Sequence, residues 1–341
     1  MPTIFIKDSL RAAVEAASGG HQTVLYNEKG YPGYFYVVPK FRYEDLGYDG
    51  DMGTGVCTAF LVGGKEKSEL FIGAYQAAIK DDCALPLPSF DPAASIDWDE
   101  AKSACEANGA GYHMMTVHEW AALALWCMSN DFEPRGNTDY GRAHDATYEV
   151  GRRQDEESPG VDSGTARVLA GSGPAAWRHN NDYNGISDLV GNIWEWQSLM
   201  KLVDGRIIVA TDNDYEQAED DWSSQDAYLD STEAEGDGDV VLSHEVANPG
   251  DEESDNSASV TWGDMTTTSE YSSIQLLKRL LIEPAGVIPQ GKIYARNYGE
   301  RFPRRGGNWR NGSNAGLAAL YLTNERSHSS SNIGVRPAFV S

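Results

Sequence analysis

The chain has 341 residues, with 27 Lys and Arg against 52 Asp and Glu, for a formal charge of −25. That balance argues against non-specific nucleic-acid binding, because neutralising phosphates needs Lys and Arg. No apolar run approaches the ~20 residues of a helical membrane span. Residues 211–256 hold 17 acids and no Lys or Arg; without them the balance is 35 acids to 27 bases.

The N-terminus has a polar helical pattern and no long apolar core behind a basic start, so no signal peptide is expected. The protein is then cytoplasmic until release. Work outside a cell would need lysis, a dedicated route or a particle.

Residues 1–45 read as a small α/β unit. Residues 3–7 alternate as a short strand. Asp8-Ser9 offers a cap for a helix at 10–17, which Gly19-Gly20 ends. Strands at 23–26 and 34–39 flank the turn cluster Gly30-Tyr-Pro-Gly33. A further strand pair, 58–62 and 70–75, brackets Gly63-Gly64-Lys65. A helix at 97–107 sets Ala101, Ala104 and Cys105 on one face. The next begins at Thr116-Val-His-Glu119, a capping box in which two side chains satisfy exposed amides. Trp120, Leu123, Ala124 and Cys127 give it a buried face.

Residues 130–175 are turn-rich and polar. The 211–256 tract reads as a mobile acidic insertion. A short helix at 272–282 turns Ile274, Leu277, Leu280 and Leu281 inward and stops before Pro284. Cys57, Cys83, Cys105 and Cys127 form no CxxC pair. Cys105 and Cys127 read as reduced core residues of two helices, although spacing leaves a Cys105–Cys127 bridge open.

Four blocks stand in order along the remaining sequence. They are Met115-Thr-x-x-Glu119-Trp120, then Gly185-Ile-Ser-Asp-Leu-Val-Gly-Asn-Ile-Trp-Glu-Trp196, then Arg305-Gly-Gly-Asn-Trp309, and finally Ile333-Gly-Val-Arg336. This order resembles the formylglycine-generating-enzyme type of C-type lectin fold, over residues 90–341 without the acidic tract. The resemblance implies an α+β, C-type lectin-like fold. It would occupy residues 46–341, behind the small unit at 1–45 and interrupted by the acidic insertion 211–256. The enzymatic branch needs paired cysteines after the Arg-Gly-Gly block to bind copper. Here Trp309 is followed by Arg310-Asn-Gly-Ser-Asn-Ala, and no Cys follows Cys127. The soft ligands of that chemistry are missing, so no enzyme is expected. A metal-dependent oxidoreductase with a displaced site is the alternative, and a purely structural virion component is another.

The segment 304–339 resembles the variable region of diversity-generating-retroelement proteins, the class that includes phage tropism determinants. Those elements randomise adenines, chiefly in AAY codons for Asn. Arg310, Tyr321, Thr323, His328, Ser330 and Ser331 can each arise from AAY by changes in its first two bases. Trp309 and Glu325 cannot. The six therefore form the expected ligand-binding face. Trp309, Trp194, Trp196 and Arg336 are its expected scaffold, and Leu317, Leu320, Leu322 and Ile333 hold the frame from within. Such a composition gives adaptable hydrogen bonding with aromatic and cationic anchors, as in antibody paratopes. The expected partner is a protein or glycan receptor that depends on the variant. The setting would be a virion, such as a tail fibre, or a cell exterior, with a homo-oligomer left open.

No cofactor is required by this reading. Asn180, Asp182, Asn184 and Asp188 alternate oxygen side chains around Gly185, so structural calcium is carried as an expectation. The closing bidentate Glu is absent. His113 and His118 are five apart, unsuited to one metal on a helix face, and read as capping or surface groups.

Overall fold

The computed structural model describes residues 8–286 and 289–341; the strand expected at residues 3–7 lies outside them. The fold is mixed α+β, built mostly of sheet with few helices. Among the described residues no helix is long and apolar enough to cross a membrane.

The Asp8 carboxylate accepts hydrogen bonds from the Leu10 and Arg11 amides at 3.0 and 3.3 Å. These amides have no acceptor within the helix, so the cap fixes its start. The helix runs Ser9–Ala17 and gives way to Gly19 and Gly20, both at positive φ. Strands Gln22–Tyr26 and Pro32–Pro39 then pair antiparallel.

This hairpin does not stand alone. Pro32–Pro39 pairs with Glu69–Gly73, which pairs with the last strand, Pro337–Phe339, and that pairs with Tyr112–Met114. Strands Gln22–Tyr26 and Pro32–Pro39 thus share a five-stranded sheet with the end of the chain, where the sequence suggested a separate unit. The reason is burial. Tyr36 and Val38 pack in the same core cluster as Leu70, Ile72 and Ala338, and a two-stranded hairpin alone is marginal in water.

The expected pairing of 58–62 with 70–75 also does not form. Thr58–Phe60 is a 3-10 turn, and Leu61–Val62 pairs with Lys65–Glu66. The turn is held because the Tyr43 hydroxyl accepts from the Thr58 amide at 3.0 Å, while Ala59 and Phe60 sink into the core.

Helices Trp98–Glu106 and Val117–Ser129 each open with a capping box, at Asp97/Glu100 and Thr116/Glu119. The second helix lies at the centre of the molecule. It buries not only Trp120, Leu123, Ala124 and Cys127 but also His118, Glu119 and Leu125. Its charged members are therefore interior groups, not a solvated face.

The acidic tract is ordered, which overturns the expectation of a mobile insertion. Its strands Ser223–Ser231 and Val240–Ser243 pair antiparallel, with Leu229 opposite Leu242. They belong to a six-stranded sheet whose order is Thr266–Thr267, Val240–Ser243, Ser223–Ser231, Arg206–Val209, Met200–Val203 and Glu300–Arg301. Ala227, Leu229, Val240 and Leu242 are buried. Most carboxylates stay in water. The exception, Asp230, accepts from the amides of Ala247 and Asn248 and from Asn297. Near the start of the tract, Asn213 is wholly buried. Its amide donates to Ala59 O and to Glu119 Oε1, and its own oxygen accepts from the Thr116 hydroxyl. Composition concealed this order, because acidic residues outnumber the alternating apolar ones.

The third sheet carries the candidate site. Its order is Ala258–Thr261, Lys292–Ala295, Gly316–Leu322, Arg304–Gly306, Trp194–Trp196 and Ile333–Gly334. The helix expected at 272–282 is shorter, Gln275–Arg279, and Leu277, Leu280 and Leu281 are buried beside this sheet's Leu317 and Leu320 in one core.

Candidate functional site

The site begins at the turn Asp188–Asn192. Gly191 and Asn192 both have positive φ, at 76° and 63°. Asn tolerates this conformation when its short amide finds local partners. Asn192 donates to Gln76 Oε1 at 2.7 Å and accepts from the Val168 amide at 2.8 Å. A Cβ on Gly191 would lie 2.2 Å from the Asn137 carbonyl oxygen, so only glycine fits there.

The turn launches strand Trp194–Trp196, where side chains alternate between faces. Glu195 projects to one side and meets Arg336. Two bonds join them, Nε to Oε2 at 2.8 Å and Nη2 to Oε1 at 2.7 Å. Arg336 also donates to the carbonyls of Gly73 and Ser187. The two side chains are 0% and 1% exposed. This buried pair ties the third sheet to the terminal sheet, so Arg336 has a structural place behind the candidate surface.

Trp194 and Trp196 project to the other side. There the sheet register builds a row across four strands. Tyr294 stands opposite Tyr321, Tyr321 opposite Arg304, and Arg304 opposite Trp196. The Tyr294 and Tyr321 rings are 4.9 Å apart, and the Arg304 guanidinium lies 4.5 Å from Tyr321 and 4.9 Å from Trp196. Trp194 meets Tyr321 from the adjacent position at 5.3 Å. The row passes from half-buried Tyr294 and Tyr321 to buried Arg304 and Trp196.

The electrostatics of the row are unusual. No described carboxylate pairs with Arg304; its Nη2 donates to Asn324 Oδ1, and its Nε is buried without a partner. Burial pushes its pKa down to about 9. His328 is also held below the usual imidazole range, first by burial and then by the Arg304 charge.

The six expected contact residues are all at least partly exposed, whereas Trp309, Trp194, Trp196 and Arg336 are all buried. Tyr321 covers the Arg304 guanidinium, whose charge also reaches His328. Thr323 follows at the end of the Gly316–Leu322 strand. Ser330 and Ser331 lie in the return to Ile333–Gly334, where the Ser330 carbonyl accepts from Ser95 and the Ser331 carbonyl from Arg167. Arg310 is set apart: Trp309 O accepts from the Tyr140 amide and Thr138 O from the Gly312 amide, which places it against the 138–142 loop. Arg304, Asn324 and Tyr294 escaped sequence reasoning. Arg304 lies just ahead of the block that begins at Arg305 and drew no separate reading, and Tyr294 joins only through a parallel pairing distant in sequence.

The calcium candidates Asn180, Asp182 and Asn184 share in the hydrogen bonds of their own turn. Asn180 Nδ2 donates to Asn184 Oδ1, and the side-chain oxygens of Asn180 and Asp182 accept from backbone amides within the same turn. Asp188 is buried; its Oδ2 accepts from the Gly171 amide, and its Oδ1 has no partner. Among the described residues no three His, Cys, Asp or Glu side chains gather as a metal set.

The histidines at 113 and 118 are interior, correcting their reading as capping or surface groups. His113 is bonded to Glu119 Oε1 at 2.9 Å and to Gly111 O at 3.0 Å, and its ring stacks on Tyr215. Burial raises the Glu119 carboxyl, but His113, the Thr116 amide and Asn213 together outweigh it and hold the group below its ordinary value. His118 Nε2 contacts Ala210 O, and burial pushes its pKa down to about 4. All four cysteines are buried and unpaired, Cys105 and Cys127 included. Burial raises the Cys57 thiol to about 11, which disfavours the nucleophilic thiolate.

No protein-family model and no curated protein matches the chain. Among solved structures the chain is similar to Treponema denticola variable protein 1, at 10% sequence identity, with 93% of this chain and 98% of that chain covered and a TM-score of 0.35. A likeness that loose carries no argument about fold or function.

Proposed function

We propose that this chain is a ligand-binding protein that displays residues 304–339 as a diversified surface on a C-type lectin-like scaffold of the formylglycine-generating-enzyme type. The ligand is a protein or glycan receptor whose identity follows the variant. The setting is a virion or a cell exterior, and no catalysis is part of the proposal.

One observation carries the reading. Within a single short segment, burial separates two sets of residues. Arg310, Tyr321, Thr323, His328, Ser330 and Ser331 reach solvent, while Trp309, Leu320, Leu322, Ile333 and Arg336 are 5% exposed or less. A surface that must change while its fold persists needs this division, because surface substitutions usually shift stability by less than ~0.5 kcal/mol and core ones by far more.

The test is a library with random residues at the six positions, beside a second library at Trp194, Leu320, Leu322, Ile333 and Arg336. Most members of the first should express as folded protein with melting points near the parent. Most of the second should not. Equal loss of folding in both libraries would overturn the proposal.

A further inference from the structure

Resting on that reading, we propose that the buried guanidinium of Arg304 is an anion subsite in the floor of the surface, and that the surface takes ligands presenting a carboxylate beside Tyr321 and His328.

Apart from exposed Arg310, the other arginines of the closing segment have partners. Residues 301–341 hold six Arg and one Glu, a local charge of +5 in a chain of −25. Arg301 pairs with Glu325, Arg326 with Asp99 and Glu219, and Arg336 with Glu195. Arg305 is buried but donates to the carbonyls of Ala318, Leu280 and Leu281. Both Arg305 and Arg304 leave Nε buried without a partner. Arg304 differs in that it is 3% exposed, has one neutral amide as its acceptor where Arg305 has three carbonyls, and lies against the rings of Trp196 and part-exposed Tyr321.

A buried charge without a counter-ion is costly, and such groups persist where something else supplies the compensation. Two rings flank Arg304 in register and give cation–π support, but rings cannot accept its N–H bonds at the strength of an anion. The guanidinium is planar and matches a carboxylate better than a compact ammonium would. Its surroundings also fit a ligand site. Tyr321, Asn324 and His328 are part-exposed around it, and Tyr321 with Tyr294 offers an aromatic wall for the ligand's apolar body. The neighbours that could vary lie at the rim, while Arg304 lies beneath. The subsite would then be common to sibling proteins, with specificity set around it.

The experiment titrates the full-length protein with sodium acetate, sodium glucuronate and N-acetylaspartate, following the His328 ring resonances by NMR at constant ionic strength. Glucose and sodium chloride are the controls. Saturable shifts with the carboxylates, and none with the controls, are expected. Glucuronate binding more tightly than acetate would point to an acidic sugar as the source, and N-acetylaspartate binding more tightly would point to an acidic peptide. Arg304→Lys should weaken binding at least ~10-fold, since a point charge loses the planar fork. Arg152→Ala, at an exposed arginine outside the closing segment, should leave it unchanged. Should Arg304→Lys fail to fold, Asn324→Ala keeps the guanidinium while freeing Nη2, and must change the acetate affinity. A wild-type protein whose His328 does not respond to carboxylate, or responds equally to chloride, overturns the inference. Carboxylate binding in a protein whose six positions never vary would instead leave the subsite standing and remove the diversification.

Discussion

Replacing Arg336 with Met removes four hydrogen bonds at once: two to Glu195 and one each to the carbonyls of Gly73 and Ser187. Glu195 would remain 1% exposed, with only Gln76 Nε2, at 2.9 Å, still donating to its carboxylate. Stripping one partner from a buried ion pair costs ~3–5 kcal/mol. For a chain of 341 residues, with an unfolding entropy of roughly 0.7 kcal/mol/K, that is a fall of about 4–7 °C in melting temperature. Denaturant unfolding followed by tryptophan fluorescence measures it, and Trp194 and Trp196 flank the affected residue. Adding Glu195→Leu to Arg336→Met removes the stranded charge, so the double variant should regain at least ~1 kcal/mol over the single one. A loss below ~1 kcal/mol in Arg336→Met, or a double variant worse than the sum of the singles, would refute the reasoning that this pair clamps two sheets.

Acid should unfold the protein steeply. His118 and His179 are buried, and their pKa values fall to about 4 and about 3 from an ordinary 6.5. Below pH 6.5 the unfolded chain binds protons that the folded chain refuses. Stability is therefore full above 6.5 and falls with pH, by up to ~2.7 kcal/mol per pH unit for the two together. His118→Gln should flatten that slope between pH 6.5 and 4, and an unchanged slope would speak against the assignment. Asn213→Ala leaves the buried Thr116 hydroxyl without its acceptor and should cost ~1–3 kcal/mol in the same denaturant assay. Leu229→Ala should cost ~2–5 kcal/mol as a core truncation within the acidic tract. Limited proteolysis should spare residues 223–243, and rapid cleavage there would contradict their place in a sheet.

Local signals in the sequence were legible. Asp8, Asp97 and Thr116 start helices because each supplies an oxygen within three residues of an unsatisfied amide. Gly191-Asn192 marks a left-handed turn for the same short-range reason. What escaped was long-range or masked by composition. Phe339 pairs with Tyr112 and Phe71 across most of the chain, and no local pattern announces it. The acidic tract hides Leu229 and Leu242 among carboxylates that stay in water. Arg304 gained its meaning only when sheet register set it between Tyr321 and Trp196. The oxygen-rich run at 180–188 suggested a cation, but several of those oxygens are turned to neighbouring amides.

The central claim is that a fixed frame carries a surface built to change. Deep sequencing of the gene in a culture grown from one cell and carrying an active element tests it most directly. Substitutions should concentrate at codons 310, 321, 323, 328, 330 and 331, with 194, 196, 309 and 336 constant and an Asn-rich template copy nearby. Uniform codons at the six positions and no such template would contradict it.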